Sequence, residues 1–344
     1  MFTVLVALVA AGALGPIQPD SLILGFPAHA RIADDSAHQQ LVITLGPVVL
    51  PAHTEHHMVE QLGVQSVALP RGGWLQGYDV DIVDSGGRLL PRALIHHVEL
   101  IELDRRALLD GQVQRMASVG KETGDVRLPG FIGYPVRRGE ALGINPMLDN
   151  PTDTSYPAAY VRLRIPYTPE NAEDRPVDVY SIGTDVTGAV GRSSDFDIPA
   201  GRSSLSHEFA VPISGALLAI GGHLHDLGLR LVLVNLATGD TVYDARAARD
   251  TTGRVLGMPV RQLWRTGGYQ IAAGQRFRLT AFYDNPTGHT VAAGAMGTFG
   301  GAFKPDDVQA WPRLDPKDPE TQRDLTYLHS LGGAMGGMPG MNMQ

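Results

Sequence analysis

The feature that most constrains this chain is a long succession of short β-rich segments, each closed by Gly, Pro or Asp. No extended amphipathic helical pattern lies between them. QLVITLGPVVL (residues 40–50), VQSVALP (64–70), YDVDIV (78–83), ALIHHVELIEL (93–103) and AYVRLRIPY (159–167) carry the alternating or β-branched character of strands. The second half repeats the style in VDVYSIG, SLSHEFAVP, ALLAIGGHLHDLG, LRLVLVNL, TVYDA and YQIAAGQRFRLTAFYDNP. A parallel α/β sheet needs crossover helices between its strands, and their absence from the pattern argues against a Rossmann domain or a TIM barrel. With 41 glycines and 24 prolines to supply turns, the expected fold is all-β: two tandem antiparallel β-sandwich, jelly-roll-like domains.

The charged, proline-bearing stretch TPENAEDRP (168–176) marks the expected boundary. It gives a first sandwich over 31–167 and a second over 173–303, with residues 117–140 loop-like. Residues 304–344 are expected to be an extended tail. They end in GGAMGGMPGMNMQ, with methionines at 335, 338, 341 and 343. Such a tail reads as a flexible end, a thioether segment that acquires cuprous copper, or a strap ordered by a partner. At the other end, FTVLVALVAAGAL (2–14) is apolar and uncharged, and residues 1–17 form an anchor-like or signal-like segment. It is short for a full bilayer span and lacks the basic residues that precede a signal-peptide core. A retained anchor, a removed signal and a buried N-terminal helix all stay open.

The net charge of −8 and the lack of a basic cluster argue against a nucleic-acid partner. The absence of cysteine excludes disulfides, Cys-ligated zinc and thiol catalysis. There is no glycine-rich phosphate loop, nucleophile elbow or HExxH motif.

The chemistry-bearing residues are histidines. His223 and His225 in GGHLHDLG are two apart and share one face of a strand, so both imidazoles can aim at one metal ion. His96 and His97 in LIHHVEL are adjacent and point to opposite faces. For them, hydrogen bonding within a core or an interface stands beside copper ligation. In AHTEHHM, Glu55 and His57 share a face and His56 takes the other, with no third ligand assured. His207 and His289 are isolated, and the NPTGHT turn places His289 at the surface. Asp226 orients a histidine or caps a turn.

The order of these signals resembles the copper type II, ascorbate-dependent monooxygenases, the family of peptidylglycine alpha-hydroxylating monooxygenase and dopamine beta-hydroxylase. The resemblance spans roughly residues 39–300 and includes LPAHTEHHMVEQ and WLQGYDVD. It implies two sandwich domains with one copper each. It assigns His96 and His97 to the first site, and His223, His225 and Met296 (in FYDNPTGHTVAAGAMG) to the second. The family's third first-domain histidine is replaced by Met147 in INPMLDNP, and the family's disulfides are absent.

Two functions follow as expectations. One is a divergent copper monooxygenase that hydroxylates an activated C–H bond with O2 and an external electron donor. The other, preferred, is a non-catalytic extrinsic subunit of a bacterial respiratory or photosynthetic membrane complex. It would sit on the periplasmic side of the inner membrane, anchored by residues 2–17 and touching lipid and neighbouring subunits there and through its tail. A soluble periplasmic or secreted protein is the alternative location.

Overall fold

Strand formation follows the alternation of side chains in a computed structural model of the chain, which describes residues 22–333 apart from 24, 28, 121, 122 and 252. In β10 (Tyr156–Pro169), Ala159, Val161, Leu163, Ile165 and Tyr167 are buried and the intervening residues face outward. Its neighbour β2 (Gln40–Leu50) buries Leu41, Ile43 and Leu45 in the same rhythm. The other main strands of the first half are β1 (Arg31–Asp35), β3 (Gln65–Ala68), β4 (Gly73–Leu75), β5 (Gly77–Val83), β6 (Ile95–Arg106), β7 (Val113–Gly120), β8 (Ile132–Val136) and β9 (Ala141–Leu148). A two-residue strand, β11 (Val177–Asp178), closes this half. The second half contains β12 (Tyr180–Asp185), β13 (Gly201–Ala210), β14 (Gly215–Leu224), β15 (Gly228–Asn235), β16 (Thr241–Arg246), β17 (Arg276–Asn285) and β18 (Gly297–Pro305).

The fold is all-β, built from several mainly antiparallel sheets packed face to face. A four-stranded sheet in the order β7-β6-β9-β3 faces an eight-stranded sheet in which β5, β10, β4, β8 and β11 follow one another. The Tyr78 hydroxyl of β5 crosses between them and donates to the carbonyls of Val98 (2.8 Å) and Ala117 (3.0 Å). In the second half, β12-β18-β14 forms the spine of a five-stranded sheet, and a four-stranded sheet runs β13-β17-β15-β16. Phe209 of β13 stacks on Phe299 of β18 at 5.5 Å, joining these two layers.

The ladders divide the chain near residue 179. Among the described residues, the one ladder joining the two stretches of sequence is a short pairing of Gly332–Gly333 with Leu62–Gln61. Val177–Asp178, which the sequence groups with the second half, pairs in parallel with β8, because Val177 N–H bonds to Phe131 O and Val179 N–H to Gly133 O. Residues 117–140, expected to be loop-like, contribute the end of β7 and all of β8. IGYPV is too short to show a period and forms a strand because β4 and β11 flank it.

The segment 304–344 also departs from the extended tail. Residues Pro319–Ser330 form helix α1, started by the Asp318 side chain, which accepts from the N–H groups of Glu320 and Thr321, with proline at the first helical turn. Thr321, Asp324 and Leu328 lie on one helical face and are buried. Leu328 and Leu331 pack with Ile101, Leu103 and Val113 on the outer face of the four-stranded sheet. β6 is thus covered on both faces, Val98 and Leu100 turning toward the inter-sheet core. That explains its nearly continuous apolar run.

Candidate functional site: a histidine seam

The two histidine pairs lie where the halves of the chain meet. His96 and His97 are at the start of β6; His223 is near the end of β14 and His225 just beyond it. Met147 stands directly across β9 from His97. On the other side His97 faces Gly120, where a Cβ atom would lie 2.6 Å from the His96 carbonyl oxygen and 3.0 Å from the His97 Cβ. Only glycine lets β7 approach this closely.

His56 and His57, on a short turn of 3-10 helix, join the cluster. The His56 ring stacks on His96 with centroids 4.6 Å apart, and the His96 and His97 rings are 5.3 Å apart. His223 and His225 meet edge to face at 5.0 Å. Carboxylates stand at the periphery: Asp149 Oδ2 is 3.9 Å from His96 Nδ1, and Asp195 Oδ1 is 3.9 Å from His225 Nδ1. Met296 enters through its backbone, its carbonyl accepting from the His225 N–H (3.4 Å) and the Tyr283 hydroxyl (2.9 Å).

Burial sets the electrostatics. It lowers the His97 pKa to about 4, with the charges of His225 and His56 adding to the effect. It lowers His223 to about 3, assisted by His225 and His97. Both imidazoles are therefore neutral at physiological pH. The influence of His225 on His97, and of His97 on His223, ties the two pairs into one seam. His223 Nδ1 is buried without a hydrogen-bond partner.

The remaining candidates fall elsewhere. Asp226 neither orients a histidine nor caps its own turn: its Oδ1 accepts the N–H of Val255, 29 residues away, at 2.7 Å. His53 pairs with Asp153 at 3.0 Å on the surface, and His289 is exposed in its turn. His207 packs beneath Gly188.

The seam does not fit copper. Among the described residues no group of three or more His, Cys, Asp or Glu side chains is arranged to hold a metal ion, and the chain has no cysteine. The expectation of copper at His223, His225 and Met296, or at His96, His97 and Met147, is corrected accordingly. Strand spacing put the imidazoles side by side, but packing turned them against one another. The methionine tail at 335–343 lies outside the described residues, as does the apolar segment 2–17. No helix among the described residues is long and apolar enough to cross a membrane, so none of them supplies the expected anchor.

No family model matches the chain, and no curated protein matches it. Among solved structures it is similar to PNGase F, a glycosylasparaginase from Flavobacterium meningosepticum, with a TM-score of 0.39 and 10% identity over 78% of this chain and 96% of that one. It is also similar to a chain of Sulfolobus turreted icosahedral virus (TM-score 0.19, 10% identity, 78% and 60% covered). A third is a chain of infectious bursal disease virus Gx strain (TM-score 0.22, 12% identity, 87% and 75% covered). At these scores the likenesses carry no argument about activity. The assignment to the copper type II monooxygenases is withdrawn: no family model supports it, and no cluster among the described residues offers a metal site.

A feature overlooked in the sequence is a repeated tetrapeptide. DNPT occurs at 149–152 and again at 284–287. Asn150 Nδ2 donates to the carbonyls of Leu50, Pro51 and Thr154, and its Oδ1 accepts from the N–H and hydroxyl of Thr152. Asn285 Nδ2 donates to Ile198, Pro199 and His289, and its Oδ1 accepts from the N–H and hydroxyl of Thr287. The two turns have the same bonding, five hydrogen bonds to one asparagine in each.

Proposed function

We propose that the chain is a non-catalytic structural subunit, built as two tandem β-sandwich units joined near residue 179, that docks extrinsically on a larger complex. The twin asparagine turns support the tandem arrangement, because each half closes a strand with the same device. The observation that carries the docking role is an apolar patch where residues of the two halves meet. Phe131 is 54% exposed in the turn that precedes β8, Val177 on β11 is 42% exposed and donates its N–H to the Phe131 carbonyl, and the Trp264 ring meets Phe131 at 6.3 Å.

Beneath the patch, Ile132 and Val179 pack with Ala216 and Leu218 of the second half. The exposed side chains are therefore presented on a fixed base. Single exposed apolar residues are ordinary, but a contiguous aromatic and aliphatic patch marks an interaction surface. The apolar residues 2–17 and the Gly/Met tail favour a host among periplasmic energy-converting membrane complexes, the tail adding contact to neighbouring subunits.

The test compares wild-type protein with Phe131→Ser/Val177→Ser in the native cell after mild extraction. Wild type should sediment with a larger complex, and the variant should sediment alone while keeping the wild-type thermal unfolding midpoint. Wild-type protein that sediments free of any partner would overturn the reading.

A further inference from the structure

The four-stranded sheet of the second half ends in an open edge. β13 pairs with β17 along ten consecutive residues, Gly201 to Ala210, without a register shift. Among the described residues no strand pairs with its other side, and no backbone hydrogen bond reaches it. Natural edges are usually blunted by short length, proline, lysine or a bulge. RSSLSHEF has no proline, lysine or bulge, and its charges are one of each sign, Arg202 and Glu208. Its solvent face carries Arg202, Ser204, Ser206 and Glu208, and its inner face carries Ser203, Leu205, His207 and Phe209.

The charges on this edge are placed at opposite ends, three residues either side of Leu205. Within the chain, Arg202 lies across from Asp284 with 3.7 Å between charged atoms, and Arg202 is 87% exposed. Glu208 lies across from Arg278 and bonds to it at 2.6 Å, and also to Arg276 at 2.8 Å.

We propose that β13 pairs antiparallel with β13 of a second copy of this chain, about a two-fold axis at Leu205, so that two four-stranded sheets become one continuous sheet. In that register Arg202 of each copy faces Glu208 of the other. The row across the junction reads Arg278, Glu208, then Arg202 and Asp284 of the second copy, alternating in sign, and symmetry repeats it. Ser204 faces Ser206, so next to the axis only small side chains oppose one another on the solvent face, and the bulky pairs are the two complementary Arg202–Glu208 ones. A parallel or shifted pairing loses this alternation. Cross-strand opposite charges favour a register and like charges oppose it, and a two-fold interface makes every such match twice. This inference rests on the edge and its charges, separately from the docking patch.

The experiment is sedimentation velocity of the full chain over a concentration series. Wild type should show a monomer–dimer equilibrium. Arg202→Glu and Glu208→Arg should each weaken dimerisation by about tenfold or more, since each creates two like-charge contacts. An equimolar mixture of the two variants should restore it, because the acidic 202 position of one chain then faces the basic 208 position of the other. Wild-type protein that stays monomeric, or variants that dimerise as wild type does, would overturn the proposal.

Glu208→Arg also removes the partner of Arg276 and Arg278 and risks unfolding the sheet. A second measurement therefore uses Ser204→Cys and Ser206→Cys chains, in a protein that has no cysteine of its own. Directly opposed antiparallel residues have Cα atoms about 4.5–5.5 Å apart, within disulfide reach. Mild oxidation should crosslink the mixture and leave each chain alone largely uncrosslinked. Equal crosslinking in all three samples, or none, would refute the register.

Discussion

Removing the Asp324 carboxylate should release α1 from the sheet it covers. Asp324 is fully buried (0% exposed) and accepts three hydrogen bonds, from Arg115 Nη1 at 2.7 Å, Arg115 Nη2 at 2.7 Å and the Val113 N–H at 2.9 Å. Burial by itself disfavours the Arg115 cation, but the charge and bonds of Asp324 more than offset this and hold its pKa above the ordinary value. Asp324→Ala leaves the guanidinium of Arg115, whose side chain is 25% exposed, with Glu99, 3.8 Å away, as an ion-pair partner. Breaking a buried pair from one side costs about 3–5 kcal/mol. That is a large share of the roughly 5–15 kcal/mol by which a folded domain is stable. Urea unfolding should register this loss, and hydrogen exchange should show faster exchange across residues 319–330 and 113–120. Arg115→Met/Asp324→Leu should recover most of it, because no unpaired charge remains. A cost below about 1 kcal/mol for Asp324→Ala, or a double variant as unstable as the single one, would refute the reasoning.

The histidine seam predicts a pH dependence. His97 and His223 have folded pKa values of about 4 and about 3, below the unfolded value near 6.5. Both are neutral above that value. As pH falls below about 6.5 the unfolded chain takes up protons that the folded chain refuses, so stability declines by up to about 1.4 kcal/mol per pH unit for each group until the folded pKa is reached. Urea midpoints between pH 7 and 5 should fall less steeply in His223→Gln than in wild type, and equal slopes would count against the seam being buried and neutral. Gly120→Ala should lower stability by about 1–3 kcal/mol through the contact of its Cβ with the His96 carbonyl; an unchanged melting temperature would show that β7 can yield. Asn150→Ala and Asn285→Ala should destabilise by comparable amounts, about 1–3 kcal/mol each, because each removes the side-chain amide that ties three carbonyls of the turn together. A tolerated substitution at one site alone would speak against equivalent roles.

The sequence by itself determined the class of fold. Alternation in β10 and β2, and the double apolar run of β6, are properties of period-two strands with buried faces. Even the unread helix had its signal, DPE at 318–320, in which the aspartate caps and the proline starts the first turn. The twin DNPT turns were equally legible as a repeat. Tertiary structure alone decided what the histidines do. Strand periodicity predicts that His223 and His225 share a face, but not what closes over that face. The stacking of His56 on His96, and the approach of His97 to the second half, join residues far apart in the chain. Those contacts fix ring orientation and limit access of water, which decides whether the imidazoles stay neutral and whether they converge on one point. Spacing along one strand carries no information about either.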